Sequence, residues 1–382
     1  MKKNICLFTA HSPLIGGGSA NFRSLIENLS SINVIWKYID HKAAKGFEDG
    51  YMGTGFMGGR VDHDIWFTWK MLSGKKVELI DTIVNNLLEI DCDAYWIVSH
   101  NEGIRVAVEL ARRQQIRPVH VTINDDWAGA ICARSIRYRF MATLANQMTI
   151  NVLKSATTFD VTSRGMQDYY KQLSGRTGEI SHRYIPSQAL SHVSESHDIK
   201  SHRLKVGHIG SLYDKEDFFQ FVKLVKQVAI QQGSQLEIHM WGWKVQEDQI
   251  PEEFRTSIIT HATLPESQVI PQLAACDFVY AMYPMNQRMR IFSQTSMPTK
   301  ISSYVQAGRP IFGHGPADSS LAEFLQATGT GVLWSTTNKQ DGLALIQKLM
   351  GLKLTNDHWQ YARERYYGEE NITAMRRVFE ID

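Results

Sequence analysis

The chain has 382 residues, more than one compact core usually holds, and this length predicts two domains. The composition, 43% hydrophobic and 21% charged, excludes a disordered or fibrous protein, and the net charge of +2 does not indicate a bulk polyanion as partner. Four widely spaced cysteines without a CxxC pair argue against a zinc knuckle or a disulfide framework and favour a reducing, cytoplasmic compartment. No apolar stretch has the length of a membrane span.

Apolar, β-branched runs alternate with helical patterns through the first half of the chain. Strands are predicted over residues 4–10, 34–40, 94–100, 118–124 and 157–163. The apolar residues that mark a helix face after the first strand are Phe22, Leu25, Ile26 and Leu29. Their i, i+3, i+4, i+7 spacing is that of an amphipathic helix. Strands that alternate with helices indicate parallel βαβ units with helices on both faces of the sheet.

The same alternation restarts in the second half. Strands are predicted over residues 204–211, 235–243, 258–264, 278–284, 310–314 and 331–334. The domains are therefore predicted at 1–190 and 204–360, joined by a Ser- and His-rich linker at 191–203 and followed by a tail at 361–382. Two doubly wound, Rossmann-like α/β domains that face one another would bind a ligand in the cleft at the carboxyl ends of their strands.

A glycine turn follows the first strand of each predicted domain. In IGGGSANF, Gly17 and Gly18 allow close approach of a ligand, and Ser19 is predicted to cap the next helix, whose N-terminal amides attract phosphate. The alternative is a plain strand–helix turn, and Asn21 breaks the G-x-G-x-x-G dinucleotide pattern. In GHIGSLYDKEDF, Gly210 and Ser211 form the second turn, while Lys215 is interpreted as a solvated charge.

The stretch PTKISSYVQAG predicts a short helix with an anion site at its start. Pro298 fits the first turn and Gly308 a left-handed stop. The polar side chains that the helix would present, together with two upstream loop arginines, are Arg288, Arg290, Thr299, Lys300, Ser303 and Tyr304. A helix N-terminus with a threonine and a lysine suits a diphosphate. The alternative is a packed helix with a surface lysine.

Candidates for acid–base chemistry follow strands of the first domain. In INDDWAG, Asp125 or Asp126 could serve as a general base, although an N-cap is a common role for an aspartate in this position. His100 and His11, also at strand ends, are rival bases. In the second domain, Trp241 could stack on a base or fill the core.

A basic-aromatic set could face an anionic membrane, or could be a solvated helix face. Its members are Trp66, Trp69, Lys70, Lys75, Lys76, Arg134, Arg137, Arg139 and Lys154. A nucleic-acid partner is not expected, because no zinc spacing and no strong basic excess is present.

With these motifs in place, the chain resembles the two-domain (GT-B) glycosyltransferases, and within them the large glycosyltransferase family 4-like group. The resemblance rests on the IGGG loop, on VGHIGSL and above all on PTKISSYVQAGRPIFG, which is similar to the P-x-K-x-x-E-Y-x-A-x-G-x-P pattern of that group. It implies that Lys300 and the backbone of Gly210 and Ser211 contact the diphosphate of a nucleotide-sugar, with Gly17 and Gly18 near the sugar-phosphate. It also implies that INDDW lies near the reaction centre and that the tail helix crosses back to the first domain.

The chain departs from that group at positions that bear on mechanism. Thr295 and Ser303 stand where retaining members often carry two glutamates, and Ser211 stands where the group has an arginine. Retention and inversion therefore both remain open.

The predicted function is metal- and cofactor-independent glycosyl transfer from a nucleoside-diphosphate sugar to a glycan or lipid-linked acceptor, in surface polysaccharide or glycoconjugate synthesis. The predicted location is the cytoplasm, including the inner face of the membrane. The alternatives are a nucleotide-sugar epimerase of the same fold and a non-catalytic nucleotide-sugar-binding protein.

Overall fold

The computed structural model describes residues 2–14, 16–55, 61–113, 116–134, 139–190, 202–243, 245 and 247–380. The chain forms two compact units. The first comprises Met1–Tyr184, Gln294–Ser296 and Gly368–Asp382, and the second comprises Ile185–Ser293 and Met297–Tyr367. Residues 191–201 of the predicted linker lie outside the described residues.

The first unit is built on a six-stranded parallel sheet in the order β2-β1-β3-β4-β5-β6. Its strands are β1 (Lys3–Thr9), β2 (Ile32–Tyr38), β3 (Ala94–Val98), β4 (Val119–Ile123), β5 (Thr158–Val161) and β6 (Glu179–Ile180). The first five coincide with the predicted strands. β6 was not predicted, because a two-residue strand carries no periodicity and exists only through its pairing with β5.

Among the described residues of the first unit, seven α-helices precede the second unit in the chain. They are α1 (Gly16–Asn28), α2 (Val61–Leu72), α3 (Glu78–Leu88), α4 (Gly103–Arg113), α5 (Trp127–Arg134), α6 (Arg139–Ser155) and α7 (Arg164–Ser174). Phe22 and Leu25 on α1, and Leu29 directly after it, are buried as their spacing predicts, and they pack against β1 residues such as Ile5 and Leu7.

The second unit repeats the plan with the strand order β12-β11-β10-β7-β8-β9. Its strands are β7 (Arg203–Ile209), β8 (Gln235–Trp241), β9 (Ile258–His261), β10 (Phe278–Met282), β11 (Ile311–His314) and β12 (Gly331–Trp334). Each coincides with a predicted strand. β10 and β11 are buried along their whole length, as expected for strands covered on both faces.

The helices of the second unit are α8 (Lys215–Gln231), α9 (Glu252–Arg255), α10 (Glu266–Ala274), α11 (Arg290–Thr295), α12 (Lys300–Ala307), α13 (Ser320–Thr328), α14 (Lys339–Met350) and α15 (Asn356–Tyr367). The last two residues of α11 belong to the first unit. The side chain of Asp214 caps α8 by accepting from two backbone amides. The predicted glycine stop of α12 is confirmed, because Gly308 has a φ of 62°.

The tail is not one helix. α15 ends at Tyr367, and α16 (Glu369–Phe379) begins after Gly368, which has an extended backbone. α16 belongs to the first unit, where Ile372, Met375 and Phe379 join the apolar cluster around β1 and β3. The chain thus returns to the first unit after completing the second. Among all the described helices, none combines the length and apolarity that crossing a bilayer requires.

Candidate functional site

The order of strands in the second unit reverses beside β7. This strand comes first in the unit and pairs with β8 on one side and β10 on the other. In open α/β sheets, ligands bind outside the carboxyl end of the strands at such a switch point. β7 ends in Gly210, whose φ of 79° suits glycine and whose N–H donates to Trp241 O at 2.8 Å. The predicted turn at Gly210 and Ser211 therefore lies at the switch point.

Lys300, the first residue of α12, brings a buried amine to this strand end. Its Nζ lies 3.2 Å from Ser211 O, 3.4 Å from His208 Nε2 and 5.8 Å from the centre of the Tyr213 ring. The residue is 9% exposed. Within the described part of the chain, no carboxylate forms a salt bridge with it. Burial lowers the pKa of Lys300 from 10.5 to about 7. A buried cation without a protein counter-ion is a position for an anionic ligand.

His208 holds the other side of this amine. Its Nδ1 lies 2.9 Å from Tyr280 O, a contact in which only a protonated Nδ1 can donate. Its Nε2 is then left as the acceptor for Lys300. Complete burial, and secondly the charge of Lys300, lower the pKa of His208 well below its ordinary range. The imidazole is therefore neutral and can share a site with an ammonium group.

The burial of Lys300 predicts a pH dependence of stability. Below pH 7 the amine is charged in the folded and in the unfolded protein, and folding carries the full free-energy cost of burying that charge. Between pH 7 and 10.5 the folded amine is neutral, and the cost to folding falls as pH rises, until the unfolded chain has also lost its proton. We expect Lys300→Met to be more stable than the parent by a few kcal/mol at pH 6, with the advantage vanishing near pH 10. Denaturant unfolding across this pH range measures the difference. The exposed Lys223→Met serves as control, and parallel curves for both variants would contradict a buried cation.

Two other predicted side chains of α12 make contacts inside the second unit. The Tyr304 hydroxyl donates to Tyr280 O at 2.8 Å and accepts from the N–H of Ile209 at 3.3 Å, so it ties β7 to β10 behind the switch point. Ser303 Oγ donates to Glu266 Oε1 at 2.8 Å. Thr299 is exposed at the helix start, and its side chain makes no capping hydrogen bond.

The remaining predicted donor residues of the second unit have protein partners or lie in solvent. Arg290 forms a salt bridge with Asp318 at 2.6 Å, and Arg288 is exposed. The Trp241 ring is 5% exposed and stacks on His261 and His239 with centroids 5.0 and 5.7 Å away. This environment matches the core-packing alternative for Trp241. Lys215 is exposed, as its interpretation as a solvated charge predicts.

In the first unit, the strand order reverses between β1 and β3. Each of these strands is followed by a histidine, His11 and His100, whose rings meet edge to face with centroids 5.6 Å apart. Burial, and secondly the neighbouring His100, lower the pKa of His11 to about 4. The two rival bases predicted from strand ends thus lie side by side at this switch point.

Asp125 and Asp126 follow β4 and have different environments. The Asp126 carboxylate is 1% exposed; it accepts the N–H of Gly129 at 2.5 Å and the hydroxyl of Tyr170 at 2.9 Å, so it caps α5. Asp125 is reached by solvent, yet the protein packed around it raises the pKa of its carboxyl, partly offset by Ser296 and then His100. Of these two aspartates, Asp125 is the one whose carboxylate is available to a ligand.

The glycine-rich loop differs from its prediction. α1 begins at Gly16, so Gly17 and Gly18 lie in its first turn, and Ser19 does not cap it: the Ser19 hydroxyl donates to Ser12 O at 2.9 Å instead. A Cβ on Gly18 would lie 3.2 Å from Asn124 Nδ2. Glycine at this position therefore lets the start of α1 lie close to the end of β4.

No protein-family model matches the sequence, and no curated protein matches it either. Solved structures do. Sucrose-phosphate synthase from Thermosynechococcus elongatus is 10% identical with a TM-score of 0.68, covering 99% of this chain and 98% of that one. The glycosyltransferase of kitacinnamycin is 11% identical with a TM-score of 0.61, and an α-glucosyltransferase in complex with UDP-glucose and DNA is 13% identical with a TM-score of 0.56; each alignment covers 100% of both chains. The fold is that of the two-domain, GT-B glycosyltransferases. The predicted fold class is confirmed, and identities this low establish the fold alone.

Two residues of the candidate site were not predicted from the sequence. His208 lies inside the VGHIGSL motif. In this motif a strand with alternating buried residues ends in a glycine turn, and that pattern could have indicated that the histidine is buried at the end of the strand. No sequence pattern indicated that Ser296 lies beside Asp125. Ser296 is far from Asp125 along the chain, and it belongs to the first unit only because the short segment Gln294–Ser296 packs there. Among the residues described, no group of three or more His, Cys, Asp or Glu side chains converges as for a metal ion.

Proposed function

We propose that this protein is a glycosyltransferase of the glycosyltransferase family 4-like group, which moves a sugar from a nucleoside-diphosphate sugar to a glycan or lipid-linked acceptor. The second unit binds the donor, and the first unit binds the acceptor and supplies the base. Support for a nucleotide-sugar donor comes from the fold shared with an enzyme seen in complex with UDP-glucose.

The buried amine of Lys300 is the observation that carries the proposal. It lies at the carboxyl end of β7, at the switch point, with a pKa lowered to about 7 and no carboxylate within the described residues to neutralise it. A diphosphate supplies the missing negative charge, and its binding would return the amine to its charged form.

On the donor side, the step breaks the bond between the anomeric carbon and the diphosphate, and the electron pair leaves with the phosphate oxygen. Lys300 and the backbone N–H of Ser211 stabilise the negative charge that develops there, while the N–H of Gly210 donates to Trp241 O and Gly210 serves by its turn conformation. These groups supply positive charge or a hydrogen-bond donor without a metal ion, and we therefore propose that transfer does not need a divalent cation.

On the acceptor side, a hydroxyl oxygen forms the new bond to the anomeric carbon and loses its proton. Asp125 is the residue we assign as base, because its carboxylate is reachable and its raised pKa makes it a stronger proton acceptor than an ordinary aspartate. Asp126 is assigned to the cap of α5, and His100 to tuning Asp125 by its charge.

A panel of nucleotide-sugars tests the proposal through thermal stability. We expect one nucleotide among UDP-, GDP-, ADP- and CMP-linked sugars to raise Tm selectively, since a ligand at 100 times its Kd stabilises by about 2.7 kcal/mol. The same panel is run on Lys300→Met, in which the stabilisation should fall to less than about 1 kcal/mol. Absence of a shift with every nucleotide in the parent protein would overturn the donor assignment. Transfer assayed with and without EDTA then tests the requirement for metal.

A further inference from the structure

Helix α2 carries two half-exposed tryptophans. Trp66 is 51% and Trp69 43% exposed, and their rings stack with centroids 5.3 Å apart. Lys70 Nζ lies 5.1 Å from the centre of the Trp66 ring, and Lys75 Nζ lies 5.1 Å from that of Trp69. Two large indoles held in this way expose apolar surface to water, and a partner could bury that surface.

The arrangement of the rings distinguishes among partners. Stacking of a sugar or a nucleic-acid base on tryptophan needs an open ring face. Here each indole already has the other indole and a lysine amine against it. Indoles with ammonium groups over their faces instead suit the headgroup layer of a membrane, where tryptophan is enriched and lysine reaches phosphate.

A cavity of about 330 Å³ opens beside this pair. Its apolar lining is Met71, Val77, Ile80 and Val108, and its polar lining is Gly74, Lys75, Lys76, Asp81, Glu109 and Arg112. Lys75 belongs to both features, because it lines the cavity and lies over Trp69. The cavity and the tryptophan pair therefore form one surface, the α2 patch, defined by Trp66, Trp69, Lys70, Lys75 and Lys76.

The charges of this surface are unbalanced toward positive. Both carboxylates of the cavity are taken up by arginines: Asp81 pairs with Arg113, and Glu109 pairs with Arg113 and with Arg112 at 2.6 Å. Lys75 and Lys76 are exposed, and over the described ranges no carboxylate forms a salt bridge with either. Their charge remains available to an anionic partner.

A further exposed aromatic side chain lies at the start of α6, the helix that packs against α2. Ile65 of α2 joins the cluster around Met141 of α6, and the neighbouring Phe140 is 56% exposed beside the exposed Arg139. The side chain of Arg134 and the whole of Arg137, which the sequence placed in the same set, lie outside the described residues.

We propose that the α2 patch docks this protein on anionic phospholipid, with Trp66 and Trp69 in the headgroup layer and a headgroup phosphate held by Lys75 and Lys76 at the cavity. The proposal deepens the proposed function, on which it rests for its purpose, since docking would bring a lipid-linked acceptor to the first unit. The residues of the α2 patch neither bind the donor nor act as base.

Vesicle co-sedimentation of the full chain tests this docking. Vesicles of phosphatidylcholine, alone or mixed with phosphatidylglycerol, are compared at low and high salt. We expect binding to the mixed vesicles only, lost at high salt. Lys75→Gln with Lys76→Gln should reduce the partition coefficient roughly 30-fold, and Trp66→Ala with Trp69→Ala by about tenfold or more.

A matched control lies on α8 of the second unit, where Lys223 is exposed and Ile230 is 68% exposed. Lys223→Gln with Ile230→Ala should bind vesicles like the parent. Equal loss in this control, equal binding to phosphatidylcholine alone, or capture of a soluble glycan or nucleic acid in place of vesicles would each overturn the proposal. Nucleotide-sugar binding, measured without lipid, should be unchanged in all three variants, so failure of the docking surface and failure of the donor site are told apart.

Discussion

Lys300→Met is expected to weaken binding of the nucleotide-sugar by about 2–5 kcal/mol, that is by roughly 30-fold or more in Kd. The amine is buried at the carboxyl end of β7, and its only polar contacts among the described residues are His208 and Ser211 O. Methionine fills the same volume without charge, so the diphosphate would lose its partner while the fold gains by losing a buried cation. Isothermal titration with the nucleotide-sugar found in the thermal panel measures the effect.

The matched control for Lys300 is Lys215→Met. Lys215 begins α8 near the same strand end, but it is exposed and donates to Gln249 Oε1 at 2.8 Å. Its replacement should change Kd by less than about twofold, as expected of an exposed, screened charge. Comparable losses in the two lysine variants would show that α8, rather than the amine at the switch point, governs donor binding.

Asp125→Asn is expected to lower the rate of transfer by about 10²- to 10⁴-fold while leaving the Kd of the nucleotide-sugar unchanged. The substitution removes the proton acceptor but preserves size and the contact with Ser296. Burial raises the pKa of Asp125, so the rate in the parent should fall as pH drops through that raised pKa, and the variant should lose this limb. Initial rates across pH, with the donor saturating, measure both effects.

The neighbouring Asp126→Asn separates a base from a helix cap. In this variant the amide oxygen can accept the N–H of Gly129, and the amide nitrogen then donates to the Tyr170 hydroxyl, which reverses that hydrogen bond. Because two hydrogen bonds to a carboxylate are replaced by neutral ones, we expect a cost of about 1–3 kcal/mol in the free energy of unfolding. Its rate per folded molecule should stay within about tenfold of the parent. If instead Asp126→Asn abolished transfer at full stability and Asp125→Asn did not, the assignment of the base would be wrong.

Local patterns were sufficient where local energetics decide the structure. β10 and β11 are short, apolar runs bounded by glycine, proline or turn residues, and both form where predicted. Gly308 ends α12 because a left-handed residue is needed there. The predicted Ser19 cap is wrong because α1 already begins at Gly16, and the Ser19 hydroxyl donates to the Ser12 carbonyl in the preceding loop.

Sequence patterns alone were enough to predict two doubly wound domains, the position of nearly every strand, and a lysine at the start of a short helix. These features follow from periodicity and from glycine and proline, which act over a few residues. The burial of Lys300 against His208, ninety-two residues away along the chain, became visible only in the folded protein. Only the folded protein likewise shows that Asp126, and not Asp125, accepts the hydrogen bond from Tyr170, forty-four residues further along the chain. Which of two adjacent carboxylates is desolvated and bonded depends on side chains brought together by folding, and no local pattern encodes that choice.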